Sequence, residues 1–175
     1  AGACQNSGSV YGDLNVGGIS GAMALEYQLD PEDDVSSGTG GRKYEYKAVV
    51  QLCVNTGEIT GKRSYTGGIA GKMDLGLITD CQSYGPVTTE NGSDVGVIAG
   101  LTGASVRRSY AKCTLSGKKY VGGIVGSGVT ETVSGGGSTV AGCYSLVDIT
   151  GVKQYSGAVA GLDAGSFLEN YYVSD

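Results

Sequence analysis

Three short stretches carry the side chains best suited to holding a ligand: Lys62-Arg63-Ser64-Tyr65, Lys118-Lys119-Tyr120 and Lys153-Gln154-Tyr155. Each stands just before a Gly-rich phrase, and the shared placement predicts that Tyr65, Tyr120 and Tyr155 line up with Lys62, Arg63, Lys118, Lys119 and Lys153 along one edge. Tyrosine faces suit sugar rings, and lysine and arginine suit acidic sugars or phosphates. The ordinary reading of the same residues is a set of polar turns in which Tyr stacks on Tyr, and Asp94 interrupts the series. A carbohydrate or a host-surface protein is the partner class these residues would serve.

Other chemistries are poorly supplied. The chain has no histidine, which removes His-dependent triads, zinc-protease helices and imidazole bases. Four of the five cysteines share one repeat position and lack CxxC spacing, so they read as small buried thiols rather than ligands or a disulfide frame. Cys113 stands apart, where other repeats have Gly8, Gly57 and Gly85, and is expected to be the reactive one. Asp30, Glu32, Asp33 and Asp34 could offer oxygens to Ca²⁺, but their order lacks an EF-hand's spacing and glycine, and a solvated acidic segment explains them. Asp80 and Arg108 fall at equivalent places in adjacent repeats and predict an ion pair. Glu169 shares that position two repeats beyond Arg108, too far from Asp80 for paired-carboxylate glycoside cleavage. No catalytic residue and no cofactor are expected; the rival reading is a carbohydrate-active lyase or hydrolase.

The elements that would position these residues follow from repetition. One phrase recurs five times: Val16-Gly17-Gly18-Ile19-Ser20-Gly21, Thr66-Gly67-Gly68-Ile69-Ala70-Gly71, Val95-Gly96-Val97-Ile98-Ala99-Gly100, Val121-Gly122-Gly123-Ile124-Val125-Gly126 and Ser156-Gly157-Ala158-Val159-Ala160-Gly161. A second phrase begins at Cys4, Cys53, Cys81, Ser109, Cys143 and Asn170, at intervals of 49, 28, 28, 34 and 27. The two long intervals mark inserts at about 22–46 and 127–139. In the first, Met23, Leu25, Tyr27 and Leu29 alternate as a strand would; the second is polar, with Gly135-Gly136-Gly137, and reads as a mobile loop.

Three apolar columns recur in register: Val50, Ile78, Val106, Val140 and Phe167; Val10, Ile59, Val87, Leu115 and Ile149; Ile19, Ile69, Ile98, Ile124 and Val159. Gly, Ser, Thr, Asn and Asp separate them, residues that turn a chain and tolerate positive φ. With 33 Gly in 175 residues, against about 7% in ordinary proteins, long helices are excluded. A coil of short strands cannot bury one apolar face alone, so the coils must stack. The expected fold is all-β: a parallel β-solenoid of about five coils, three short strands per coil, forming one domain over 1–175.

These words resemble the GLUG motif, named for its Gly-Leu-x-Gly core, in Gly18-Ile19-Ser20-Gly21, Gly68-Ile69-Ala70-Gly71 and Gly123-Ile124-Val125-Gly126, and more loosely in Val97-Ile98-Ala99-Gly100 and Ala158-Val159-Ala160-Gly161. Ile or Val replaces the family's Leu. Its companion phrase is similar to Gly142-Cys143-Tyr144-Ser145-Leu146-Val147-Asp148-Ile149 and to Cys53-Val54-Asn55-Thr56-Gly57-Glu58-Ile59. The resemblance implies a bacterial cell-surface or secreted protein, extracellular in location, of adhesive or stalk type, and supplies no catalytic residue. A net charge of −5 argues against a duplex nucleic acid partner, and no apolar run approaches the ~20 residues of a membrane span. The chain opens and closes inside a repeat, which predicts a fragment of a longer chain, with neighbouring domains of that chain as further partners.

Overall fold

The structure, a computed structural model, describes residues 1–24, 48–131 and 137–173. Within them every strand pairing is parallel, and every strand lies beside its counterpart one repeat away. The molecule is a parallel β-solenoid of five coils with the start of a sixth. The third coil shows the plan: Gln82–Ser83 in sheet I, Val87–Thr89 in sheet II, Ser93–Gly96 in sheet III, Ala99–Thr102 in sheet IV and Ser105–Arg107 in sheet V. Sheet I has six strands and the other four have five.

Each coil thus makes five short strands where the apolar columns predicted three. Two columns fall as expected, with Val50, Ile78, Val106, Val140 and Phe167 opposite one another in sheet V and Val10, Ile59, Val87, Leu115 and Ile149 in sheet II. The third occupies the turn from sheet III to sheet IV. There the backbone still forms a ladder, with Ile69 N–H donating to Ile98 O at 3.2 Å, Ile98 N–H to Ile124 O at 2.9 Å and Ile124 N–H to Val159 O at 2.9 Å. Ile69, Ile98 and Ile124 are fully buried in one file and join the other columns in a single core. Sheets I and III were hidden in the sequence because several of their strands are two residues long and carry polar or glycine residues.

The Gly-rich phrase has a different purpose from the one its composition suggests. Sheets III and IV lie back to back at backbone contact distance. A Cβ on Gly122 would fall 2.0 Å from Val125 O and 2.6 Å from Gly161 N, and one on Gly126 would fall 2.3 Å from Val95 N. Gly17, Gly67, Gly96, Gly71, Gly100 and Gly161 are equally crowded by backbone. None of these glycines has positive φ; the seam needs them because no side chain fits.

Positive φ belongs instead to two columns of other residues. One is Ala3, Leu52, Asp80, Arg108 and Glu169, with Gly142 in the fifth coil, and it directly precedes the Cys-type position; the other is Asn15, Tyr65, Asp94, Tyr120 and Tyr155. A left-handed L-residue costs about 1–2 kcal/mol, and each column is repeated at every coil because it turns the chain there. At the first of these corners the Cys-type side chain secures the turn. Cys53, Cys81, Ser109 and Cys143 each donate to the carbonyl two residues back, and Ser109 Oγ and Asn170 Oδ1 accept from the N–H of Cys81 and Cys143. Asn170 donates instead to Val140 O of the preceding coil at 2.8 Å; thiol, hydroxyl and amide each supply a donor at this corner, so Cys, Ser and Asn interchange.

Of the first insert, Met23 ends the strand Ser20–Met23 and is buried. Leu25, Tyr27, Leu29 and the carboxylates of Asp30, Glu32, Asp33 and Asp34 lie outside the described residues. The second insert begins later than its composition indicates, since Ser127 and Gly128 complete the strand Val125–Gly128 and Thr139 opens the next. Ser138 ties its base, with Oγ donating to Thr102 O at 2.6 Å and accepting from Val129 N–H at 2.6 Å.

Candidate functional site

The left-handed corner before sheet III positions the tyrosines. Ladder register sets Tyr65, Asp94, Tyr120 and Tyr155 at the same place in successive coils, and the repeated turn sends successive side chains from one edge. Tyr120 and Tyr155 stack, with ring centroids 5.3 Å apart and planes 14° from parallel. Lys119 Nζ lies 4.5 Å from the Tyr120 centroid and 5.7 Å from that of Tyr155, inside the range of a cation–π contact. Tyr155 is exposed and Tyr120 half-buried.

The remaining cations of the expected strip are drawn apart. Arg63 forms a two-pronged pair with Asp13 of the first coil, Nε to Oδ1 at 3.0 Å and Nη2 to Oδ2, and that guanidinium holds the Asp13 carboxyl below its usual range. Lys62 Nζ lies 5.5 Å over the ring of Tyr11, and Lys118 donates to Asn91 Oδ1. Lys153 follows Lys118 in register, its N–H donating to Lys118 O at 3.1 Å. Tyr65 stands two coils from Tyr120, and Lys72 Nζ approaches its ring at 5.9 Å. The geometry therefore gathers Lys119, Tyr120 and Tyr155 into one contact surface with Lys153 near in register, and leaves Tyr65, Lys62, Arg63 and Lys118 in neighbouring pairs.

A second tyrosine ladder escaped the sequence reading. The residue after the Cys-type position is Tyr in the last three coils, and Tyr110, Tyr144 and Tyr171 stand in register on sheet I. Tyr144 and Tyr171 stack at 5.0 Å and 16°, and Tyr84 tilts against Tyr110 at 5.8 Å. The signal was present as a column of aromatic residues one place beyond the cysteines. It was obscured because Gln5, Val54 and Gln82 hold that place in the first three coils.

The expected pair between adjacent coils is present. Arg108 Nε donates to Asp80 Oδ1 and Nη2 to Oδ2, both at 2.8 Å. These bonds, with a further one from Thr79 Oγ1, bring the Asp80 carboxyl down to about 2. The expectation for Cys113 is overturned: its half-buried thiol is pushed up to about 12 by burial, so little thiolate forms near neutral pH. Cys81 and Cys143 are raised to about 11, chiefly by burial too. No family model, curated protein or solved structure matches the chain.

Proposed function

We propose that this chain is a non-enzymatic repeat segment of a bacterial cell-surface or secreted protein, of the GLUG-motif kind, that acts as a spacer and holds glycans weakly along one edge. The observation that carries the reading is the Tyr120–Tyr155 stack with Lys119 over both rings. Aromatic faces beside an ammonium suit a sugar ring bearing an acidic group. Repetition along a rod supports it as well, since weak contacts on linked coils add through effective concentration. Neighbouring domains of a longer chain would set where the rod is displayed.

A glycan array probed with the intact chain and with a Tyr65→Ala/Tyr120→Ala/Tyr155→Ala variant tests the reading. Binding to acidic glycans should be lost in the variant while the far-ultraviolet circular dichroism is unchanged. Equal binding by both proteins would remove the edge from consideration, and no binding by the intact chain would leave only the spacer role.

A further inference from the structure

The tyrosine column is broken once, and what stands in the break is a carboxylate. Asp94 sits at φ 60°, one coil above Tyr65 and one below Tyr120. It is only 8% exposed. Its oxygens accept from the hydroxyls of Ser93 in its own strand and Ser127 in the next coil. Among the described residues no Lys or Arg forms an ion pair with it. A carboxylate withdrawn from water and met only by neutral donors lacks a counter-charge, and that deficit is costly in a folded chain.

The nearby ammonium groups are engaged elsewhere. Lys72 Nζ donates to Asp74 Oδ2 at 2.9 Å, and Lys119 Nζ rests over Tyr120 and Tyr155. Both lysines lie within cation–π range of rings in this column, so the rings already act as hosts for ammonium groups. Coils rise by about 4.8 Å, so a cation level with Asp94 would be about 4.8 Å from the level of each flanking tyrosine, within the ~6 Å reach of a ring face. Ser93 and Ser127 use two of the roughly four acceptor sites of the carboxylate, which leaves the others for a charge above it. A carboxylate flanked in register by two tyrosines favours a weakly hydrated, methylated cation over a small metal ion.

We propose that the Tyr65–Asp94–Tyr120 stretch of this column binds a quaternary ammonium group of the choline type, the two tyrosine rings taking its methyl groups and the carboxylate its charge. The site is separate from the acidic-glycan surface at Tyr120 and Tyr155, although Tyr120 borders both, and its ligand has the opposite charge.

The test is a titration of the full chain with tetramethylammonium chloride and with choline chloride, followed by amide chemical shifts, with sodium chloride at matched ionic strength as reference. Saturable shifts are expected at Tyr65, Asp94 and Tyr120. Asp94→Asn keeps the size and tolerates left-handed φ, and should weaken binding by about tenfold or more. Tyr65→Leu, a second variant that leaves the buried carboxylate in place, should weaken it several-fold. Absence of saturation, identical shifts with sodium chloride, or affinity unchanged in both variants would overturn the proposal. Because Asp94→Asn leaves the Tyr120–Tyr155 stack intact, retained glycan-array binding by that variant separates this site from the other.

Discussion

Two interfaces close the interior of the solenoid within and between coils, and they follow opposite rules. Between sheets III and IV the chain packs main chain on main chain, with Gly17, Gly67, Gly96 and Gly122 closed on Gly71, Gly100, Gly126 and Gly161. Between sheets II and V and the Ile turn, the contact is made by branched side chains stacked in columns. The first interface has no adjustable parts. The second can repack, because rotamers and neighbouring methyl groups absorb small changes in volume. Glycine in this molecule is therefore chiefly a spacing device, and its turning role is confined to a few places such as Gly151, at φ 70° with open space where a Cβ would go.

The contrast is sharpest in a set of single substitutions read by urea denaturation. Gly122→Ala should destabilise by about 3 kcal/mol or more, because the new methyl meets backbone on both sides and overpacking there has no outlet. Ile98→Val, in the middle of the apolar file, should cost about 0.5–1.5 kcal/mol. Gly151→Ala, with room for the methyl and only the left-handed backbone against it, should cost about 1–2 kcal/mol. If Gly122→Ala proved as mild as Ile98→Val, the seam would be looser than described.

A second set of substitutions tests where the two interfaces meet. The residue before each turn Ile faces the sheet I residue of the following coil: a Cβ on Gly18 would strike Asn55 Oδ1 at 2.7 Å, one on Gly68 Ser83 Oγ at 2.1 Å, and one on Gly123 Ser145 Oγ at 2.0 Å. The third coil breaks the rule with Val97, and by the same one-coil offset its counterpart is Ala111; both are fully buried. Ala111→Ser should cost about 1–3 kcal/mol through crowding and an unsatisfied hydroxyl. Adding Val97→Gly should recover part of that loss, giving a coupling of about 0.5–3 kcal/mol in a double-mutant cycle. Strict additivity would show that the two residues do not share a site.

The smallest effect lies outside both interfaces. The Asp80–Arg108 pair is partly exposed, so Asp80→Asn should cost no more than about 1 kcal/mol at neutral pH. With the folded carboxyl lowered to about 2, its contribution is present above the ordinary carboxylate range and fades as pH falls from about 4 towards 2. Wild type and variant should therefore converge in stability below about pH 2.

Much of the solenoid was legible because its apolar residues are the same residue types at the same place in each repeat. Ile69, Ile98 and Ile124 announce a file, and the Asp80–Arg108 contact follows from the same register. Sheets I and III left weaker traces, since pairs such as Gln82-Ser83 and Thr66-Gly67 are ordinary loop composition. The left-handed columns were invisible, because Ala3, Leu52, Arg108 and Glu169 have no preference for that backbone. At the candidate site the alignment of Tyr120 with Tyr155 could be read from spacing. The capture of Arg63 by Asp13 could not, because Asp13 belongs to the coil before the long insert, and the equivalent turn of the next coil holds Lys62 where Asp13 stands, so no repeated residue type marks the pair.

The one large residue at this position, Val97 among Gly18, Gly68, Gly123 and Ala158, gives the third coil an address. A stack of identical turns could pair one coil out of place and lose only its end contacts, a misfold open to any repeat chain. Here a slip that moved Val97 from Ala111 onto Ser83 or Ser145 would drive a branched side chain into a hydroxyl already confined against glycine. The odd third coil thus acts as a key against a slip of register at its own level.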